Sequence, residues 1–196
     1  MTSAKRAMDL VLGGALLLAS LPVQLVVACV IRIRMGAPVL FRQERTGRYG
    51  HPFVLMKFRS MRLPDPAAGN PDDAGRLTAL GRFLRSTSLD ELPSLWNVLR
   101  GEMSLVGPRP LPASYLERYS AGQARRHEAV PGLTGWAQVN GRAALPWPER
   151  IELDLWYIEH RSWRLDFQIL MRTARMVLSG HGLYKGGTGG WKDPVA

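Results

Sequence analysis

Hydrophobic positions change their spacing along the chain, and each change predicts an element. From Leu10 to Ile31 no charged residue interrupts a run of about 22 positions, which as a helix would be roughly 33 Å long. Pro38 to Met61 reads as short extended segments, with Phe53-Val54-Leu55 the best strand. Leu63 to Arg76 carries Pro64, Pro66, Gly69, Asn70 and Pro71 and reads as a loop. Helical spacing returns over Leu77–Arg85, over Asp90–Leu99 and over Pro148–His160 and Leu165–Leu178. Leu111 to Val130 also contains amphipathic helical pattern, ended by Pro131-Gly132. The N-terminal segment is 1–35, the folded domain 36–185, and the Gly-rich stretch from residue 186 to 196 a flexible tail.

The apolar segment admits three readings. A cleaved signal would use Lys5 and Arg6 as its charged start and Cys29 as a lipoprotein site, but the run is longer than signal segments usually are. A plain spanning helix fits the hydropathy. A re-entrant helix, entering one leaflet and returning, fits two further features. Pro22 sits near the middle, where it removes an N–H and crowds the preceding turn. Basic residues also flank both ends, Lys5 and Arg6 before and Arg32 and Arg34 after, and one straight span cannot keep both clusters on one side. Spanning and re-entrant stay open at this point.

Charge narrows the choice of partner. The formal net charge is +10 over 196 residues. Residues 1–62 hold ten Lys or Arg against Asp9 and Glu44 alone, so the excess surrounds the apolar segment. Anionic membrane lipid is the expected partner, each nearby cation contributing about 1 kcal/mol. No zinc-finger spacing, RNP motif or basic heptad pattern is present, so nucleic acid is not expected. Cys29 is the single cysteine and excludes an intramolecular disulfide.

Three stretches could carry chemistry. In Arg85-Ser86-Thr87-Ser88-Leu89-Asp90-Glu91-Leu92-Pro93, Ser88 and Glu91 have capping-box spacing, and Asp90 would serve equally as an N-cap with Pro93 in the first turn. The same residues suit catalysis: an ionised Asp can attack phosphorus, and a neighbouring Glu can hold a divalent ion. In Val106-Gly107-Pro108-Arg109-Pro110 two prolines restrict the backbone on either side of a guanidinium suited to phosphate. It could also be a surface Arg in a rigid turn. Pro131 to Arg142 mixes Gly, Thr, Trp, Gln138, Asn140 and Arg142 and reads as a loop, able to approach a nucleobase and ribose or to serve as an ordinary connector. His51, His127, His160 and His181 show no metal-ligand spacing, and Ser/His nucleophile and Walker-type motifs are missing.

Together these stretches, with Lys57-Phe58-Arg59-Ser60-Met61 and Leu95-Trp96-Asn97-Val98-Leu99-Arg100-Gly101-Glu102-Met103-Ser104, resemble the bacterial sugar transferases, the monotopic phosphoglycosyl transferases. Five segments in family order span most of the chain. The likeness is greatest to the small members, such as the initiating enzyme of bacterial N-linked protein glycosylation. The resemblance implies a two-step, ping-pong reaction. Asp90 would match the nucleophile that attacks a UDP-sugar and releases UMP. The phosphosugar would then pass to polyprenyl (undecaprenyl) phosphate. Glu91 would match the acid that contacts Mg²⁺, and Arg109 and Arg85 would match phosphate-binding arginines. Lys57, Arg59, Asp166, Gln138, Asn140 and Arg142 are further substrate-binding expectations. The resemblance also implies a compact, mainly helical α+β fold: a cytoplasmic domain on the bacterial inner membrane, with amphipathic helices on the membrane surface and a re-entrant helix broken at Pro22. Two departures stand out. Ser20 and Pro22 are separated by Leu21 where the family often has Ser-Pro, and Trp156-Tyr157 replaces a Tyr-Tyr pair.

A non-enzymatic membrane adaptor would explain the charge and the anchor but not the Asp90, Glu91 and Arg109 stretches. A lipoprotein built on Cys29 would require cleavage. The identity of the sugar is not legible in the chain.

Overall fold

The computed structural model describes residues 2–64, 73–141 and 145–179. Helix α1 (Ser3–Met35) is capped by the Thr2 hydroxyl, which accepts from the Lys5 N–H. Its buried residues, Asp9, Gly13, Leu17, Gln24, Val27 and Ile31, recur three, four or seven positions apart. They form one stripe along the whole helix, and that stripe lies against the body. Leu10, Val11, Leu18, Leu25 and Val26 on the other side are exposed.

The expected break at Pro22 is not there. The backbone stays helical through Pro22. Side chains work where the family's Ser-Pro would stand: the Ser20 hydroxyl donates to the Leu17 carbonyl at 3.1 Å and accepts from Gln24 Nε2 at 2.9 Å. A proline inside a helix is tolerated when neighbouring polar groups accommodate the disturbed turn.

Strands β1 (Leu40–Thr46) and β2 (Pro52–Phe58) form an antiparallel hairpin, with Arg45 opposite Phe53 and Phe41 opposite Lys57. Short helices α2 (Asp73–Arg76) and α3 (Ala79–Ser86) follow, the second capped by Thr78. A 3₁₀ turn (Leu89–Ser94) runs directly into α4 (Leu95–Arg100). Strands β3 (Ser104–Val106) and β4 (Gly132–Thr134) then pair in parallel. Between them the expected amphipathic helix over Leu111–Val130 is replaced by three short pieces: a 3₁₀ turn (Ala113–Arg118), α5 (Ala121–Ala124) and a second 3₁₀ turn (Arg125–Glu128). Tyr119 is extended, and Ser120 forms a capping box with Gln123 that starts the chain afresh. Helices α6 (Trp136–Val139), α7 (Trp147–His160) and α8 (Trp163–Ser179) close the body.

Leu17 of α1 joins Phe53, Leu55, Leu95, Val98, Leu105 and Ile169 in the main core. A second cluster puts Val27 and Ile31 against Phe58 and Leu84. Both ends of α1 are tied down by polar contacts. Near its start, Lys5 Nζ pairs with Asp166 Oδ2 at 2.5 Å, and Asp9 Oδ1 accepts from the Ser104 hydroxyl and the Leu105 N–H. Arg6 donates to the Val98 and Leu99 carbonyls, capping the C-terminus of α4. Near its end, Arg59 donates to the carbonyls of Met35, Gly36 and Ala37. The Gly-rich tail and Arg142 lie outside the described residues.

Candidate active site

The site forms where β2 meets the turn that begins α4. Ser94 donates from its hydroxyl to the Met56 carbonyl at 2.7 Å. Asn97 donates to the Val54 carbonyl at 2.7 Å and accepts from the Met56 N–H at 3.1 Å. Both side chains are fully buried, so they fix β2 and the turn in one register. Lys57, one residue beyond, therefore meets Glu91: Nζ lies 2.6 Å from Oε1.

Arg109 reaches the same oxygen at 2.7 Å. Its loop leaves β3 at Gly107, where an added Cβ would lie 2.3 Å from the Val130 carbonyl oxygen, so only glycine fits this close approach to β4. Pro108 and Pro110 are buried on either side of Arg109. Buried Arg126 holds the loop from behind. It donates to the Arg109 carbonyl at 2.8 Å and pairs with Asp154 at 2.5 Å.

Neither helix-capping expectation is met. The Ser88 side chain makes no cap hydrogen bond, Ser88 itself is left-handed (φ 58°), and Asp90 lies inside the turn. Glu91 turns to the two cations instead. Burial alone would raise its carboxyl, but the charges of Arg109 and Lys57 outweigh burial and hold it well below the usual carboxylate range.

Asp90 is the opposite case. It is 8% exposed and has no hydrogen-bond partner among the described residues. Burial, followed by the charge of Glu91, pushes its carboxyl up to about 6, while Lys57, Arg109 and Arg85 pull it down. Two adjacent carboxylates thus have separated affinities for protons, a pattern typical of paired catalytic acids. Arg85 is oriented by a 2.9 Å bond from its Nε to the Ser60 hydroxyl.

Arg45 was not singled out by the sequence. It lines the same cleft as Lys57, Glu91, Ser94 and Arg109. Burial and the charge of Arg109 lower its affinity for a proton, to about 10. Its Nε is buried without a partner. Its alternation on β1 looked like that of any exposed strand residue, so only the hairpin's proximity to Arg109 reveals it. Arg45, Lys57, Arg85 and Arg109 face two carboxylates, which leaves net positive charge for an anion.

Other expected site residues are placed elsewhere. Arg59 closes the end of α1. Asp166 is buried under α1, between Lys5 and the Tyr157 hydroxyl at 2.8 Å. Asn140 bonds to the Trp136 carbonyl and to Arg172, and Gln138 is buried with both amide atoms unpartnered. No described contact joins any of these four to Asp90 or Glu91. Gly132 and Leu133, from the same loop as Gln138, do line the cleft.

Among the described residues no cluster of three metal-ligating side chains occurs. Glu91 spends Oε1 on its two cations, which leaves Oε2, and Asp90 is adjacent. That donor set fits Mg²⁺, which takes one or two carboxylates and completes its shell with substrate phosphates and water.

A buried carboxylate free of hydrogen bonds, ringed by cations beside a long apolar helix, suits group transfer from a phosphate ester at a membrane surface. Residues 1–180 match the family described as bacterial sugar transferase, and the chain belongs to that family. It is 49% identical over 181 residues to the uncharacterized sugar transferase EpsL of Bacillus subtilis (strain 168), covering 91% of this chain and 89% of that protein. It is 42% identical over 192 residues to a UDP-glucose:undecaprenyl-phosphate glucose-1-phosphate transferase of Caulobacter vibrioides, covering 92% and 72%. It is 38% identical over 198 residues to the undecaprenyl-phosphate galactose phosphotransferase of Salmonella typhimurium, covering 92% of this chain but 41% of that protein. Several relatives are thus more than twice as long as the region they share with this chain.

Proposed function

We propose that this chain is a membrane-bound phosphoglycosyl transferase, moving a sugar 1-phosphate from a UDP-sugar to undecaprenyl phosphate. The observation that carries the reading is Asp90: a buried carboxylate with no hydrogen bond, beside Glu91, Lys57, Arg85 and Arg109. In the first step an Asp90 oxygen attacks the β-phosphorus of the donor. The bond from that phosphorus to the oxygen bridging the α-phosphate breaks, and UMP leaves. In the second step an oxygen of the lipid phosphate attacks the same phosphorus and frees Asp90.

The protein's own groups do three things here. Arg109 and Lys57 hold Glu91 ionised, and together with Arg45 they offer charge to the diphosphate. Burial keeps water from the aspartyl phosphate. Asp90 and Glu91 would hold Mg²⁺, which would offset the charge of the leaving phosphate.

The relatives' named substrates agree with this chemistry. The membrane part rests on α1, whose mean hydropathy over an 18-residue window is 2.3. Both of its ends bond to the same body and the helix is unbroken, which supports an α1 held along one membrane face over a spanning one. Helix α8 exposes Trp163, Phe167, Met171 and Leu178 on one face and would lie on the surface. The active site would then face the cytoplasm at the inner membrane, where UDP-sugar and the lipid phosphate meet.

The test is UMP release from a panel of UDP-sugars with Mg²⁺. Wild type should release UMP from one of them, with stoichiometric label retained on the protein before undecaprenyl phosphate is added. No release by folded protein with any donor would leave the adaptor reading in its place.

A further inference from the structure

A second cavity lies away from Asp90. It has a volume of about 620 Å³ and lies between the last turns of α1, the segment after β2 and the start of α3. Val30, Met35 and Leu80 give it an apolar side, and Arg34, Arg59 and Arg62 a basic one. Arg59 is 4% exposed, spends its terminal nitrogens on α1 carbonyls, and keeps a buried Nε with no partner. Arg34 and Arg62 are exposed and their guanidinium groups have no partner among the described residues. The apolar side continues into exposed Val26 and Ile33 of α1.

We propose that this cavity binds one anionic glycerophospholipid, its phosphate between Arg34 and Arg62 and the start of an acyl chain along Val30 and Met35. The proposal rests on reading α1 as membrane-embedded. An isolated anion would leave the apolar side wet, and a neutral lipid would leave Arg34 and Arg62 unanswered. A lipid is the ligand that fits both sides, and α1 delivers the cavity to the headgroup level. The occupied site would brace the exit of α1 and the segment behind it. Ser60 there accepts from Thr78 through its carbonyl and from Arg85 through its hydroxyl, so the brace continues to the edge of the active site.

The experiment uses the full chain in nanodiscs of phosphatidylcholine doped with phosphatidylglycerol, with retained lipid counted by native mass spectrometry after detergent release. Wild type should keep one phosphatidylglycerol. Arg34→Ala with Arg62→Ala should lose it, the affinity falling about thirtyfold for two cations. Arg32→Ala with Arg42→Ala, which removes equal charge from exposed positions outside the cavity, should keep it. Equal loss from both pairs would overturn the site in favour of diffuse surface charge. Retention of added undecaprenyl phosphate but never of phosphatidylglycerol would overturn it in favour of an acceptor site. If wild type fails to enter nanodiscs, the membrane reading itself fails; if it enters and retains no lipid, only the cavity assignment does.

Discussion

At neutral pH the Asp90 carboxylate is ionised in a place that favours its protonated form. Its folded-state affinity for a proton is above the ordinary value of 3.8, so the associated stability is full below that pH and is lost as pH rises through about 6. Two pH units correspond to about 3 kcal/mol. Asp90→Asn should therefore melt higher than wild type at pH 7, the two converging near pH 4, while releasing no UMP. A variant no more stable at pH 7 would mean that Asp90 is better solvated than its burial implies. The acid limb of the first half-reaction should sit near 6. Glu91→Gln removes a charge that raises Asp90 and frees two cations that lower it, so that limb should move to lower pH in whatever activity remains; a limb moving upward would contradict the pairing. At this scale the structure brings together Asp90, Glu91, Arg109 and Lys57: the first two stood out as an acidic pair and Arg109 by its flanking prolines, while Lys57 was reached only through the resemblance. Arg59 and Asp166 bond to α1 or to the residues just after it, and a basic or acidic side chain bonded there has no local signature that separates it from one bonded to substrate.

Between elements, Ser94 and Asn97 carry the geometry. Removing the Asn97 amide takes the partner from the part-buried Val54 carbonyl and Met56 N–H, at about 1 kcal/mol each. Asn97→Ala should lower the melting temperature accordingly, and a melting temperature within a degree or so of wild type would show that β2 is held by packing alone. Long helices were readable from the chain because their hydrophobic period repeats several times. Strands β3 and β4, three residues each, carry no period at all. The region from Leu111 to Val130 had helical spacing, yet Pro112 and the Ser120 capping box divide it. Spacing reports which face is apolar but not where hydrogen bonding restarts.

For the molecule as a whole, the question is on which side of the membrane α1 begins and ends. Bonds from Lys5 and Arg6 at one end and to Met35–Ala37 at the other tie both ends to one body. In a Cys29→Ser background, Ser3→Cys and Ala37→Cys should both react with an impermeant maleimide in inverted vesicles and neither in intact cells. Reaction from opposite sides would make α1 a spanning helix. Flanking charge hinted at this arrangement in the sequence, but the stripe from Asp9 to Ile31 that fastens α1 lengthwise was hidden among apolar residues until their partners were placed.

The contact between Lys5 and Asp166 spans 161 positions of sequence. Helix α1 precedes α8 in the chain, so the carboxylate that fastens its beginning is not yet made when α1 is complete. If that contact sets the orientation of α1, the orientation is fixed only once α8 has been made. A chain ending at residue 160 should let the N-terminus cross the membrane in a fraction of molecules, read by a reporter fused before Ser3.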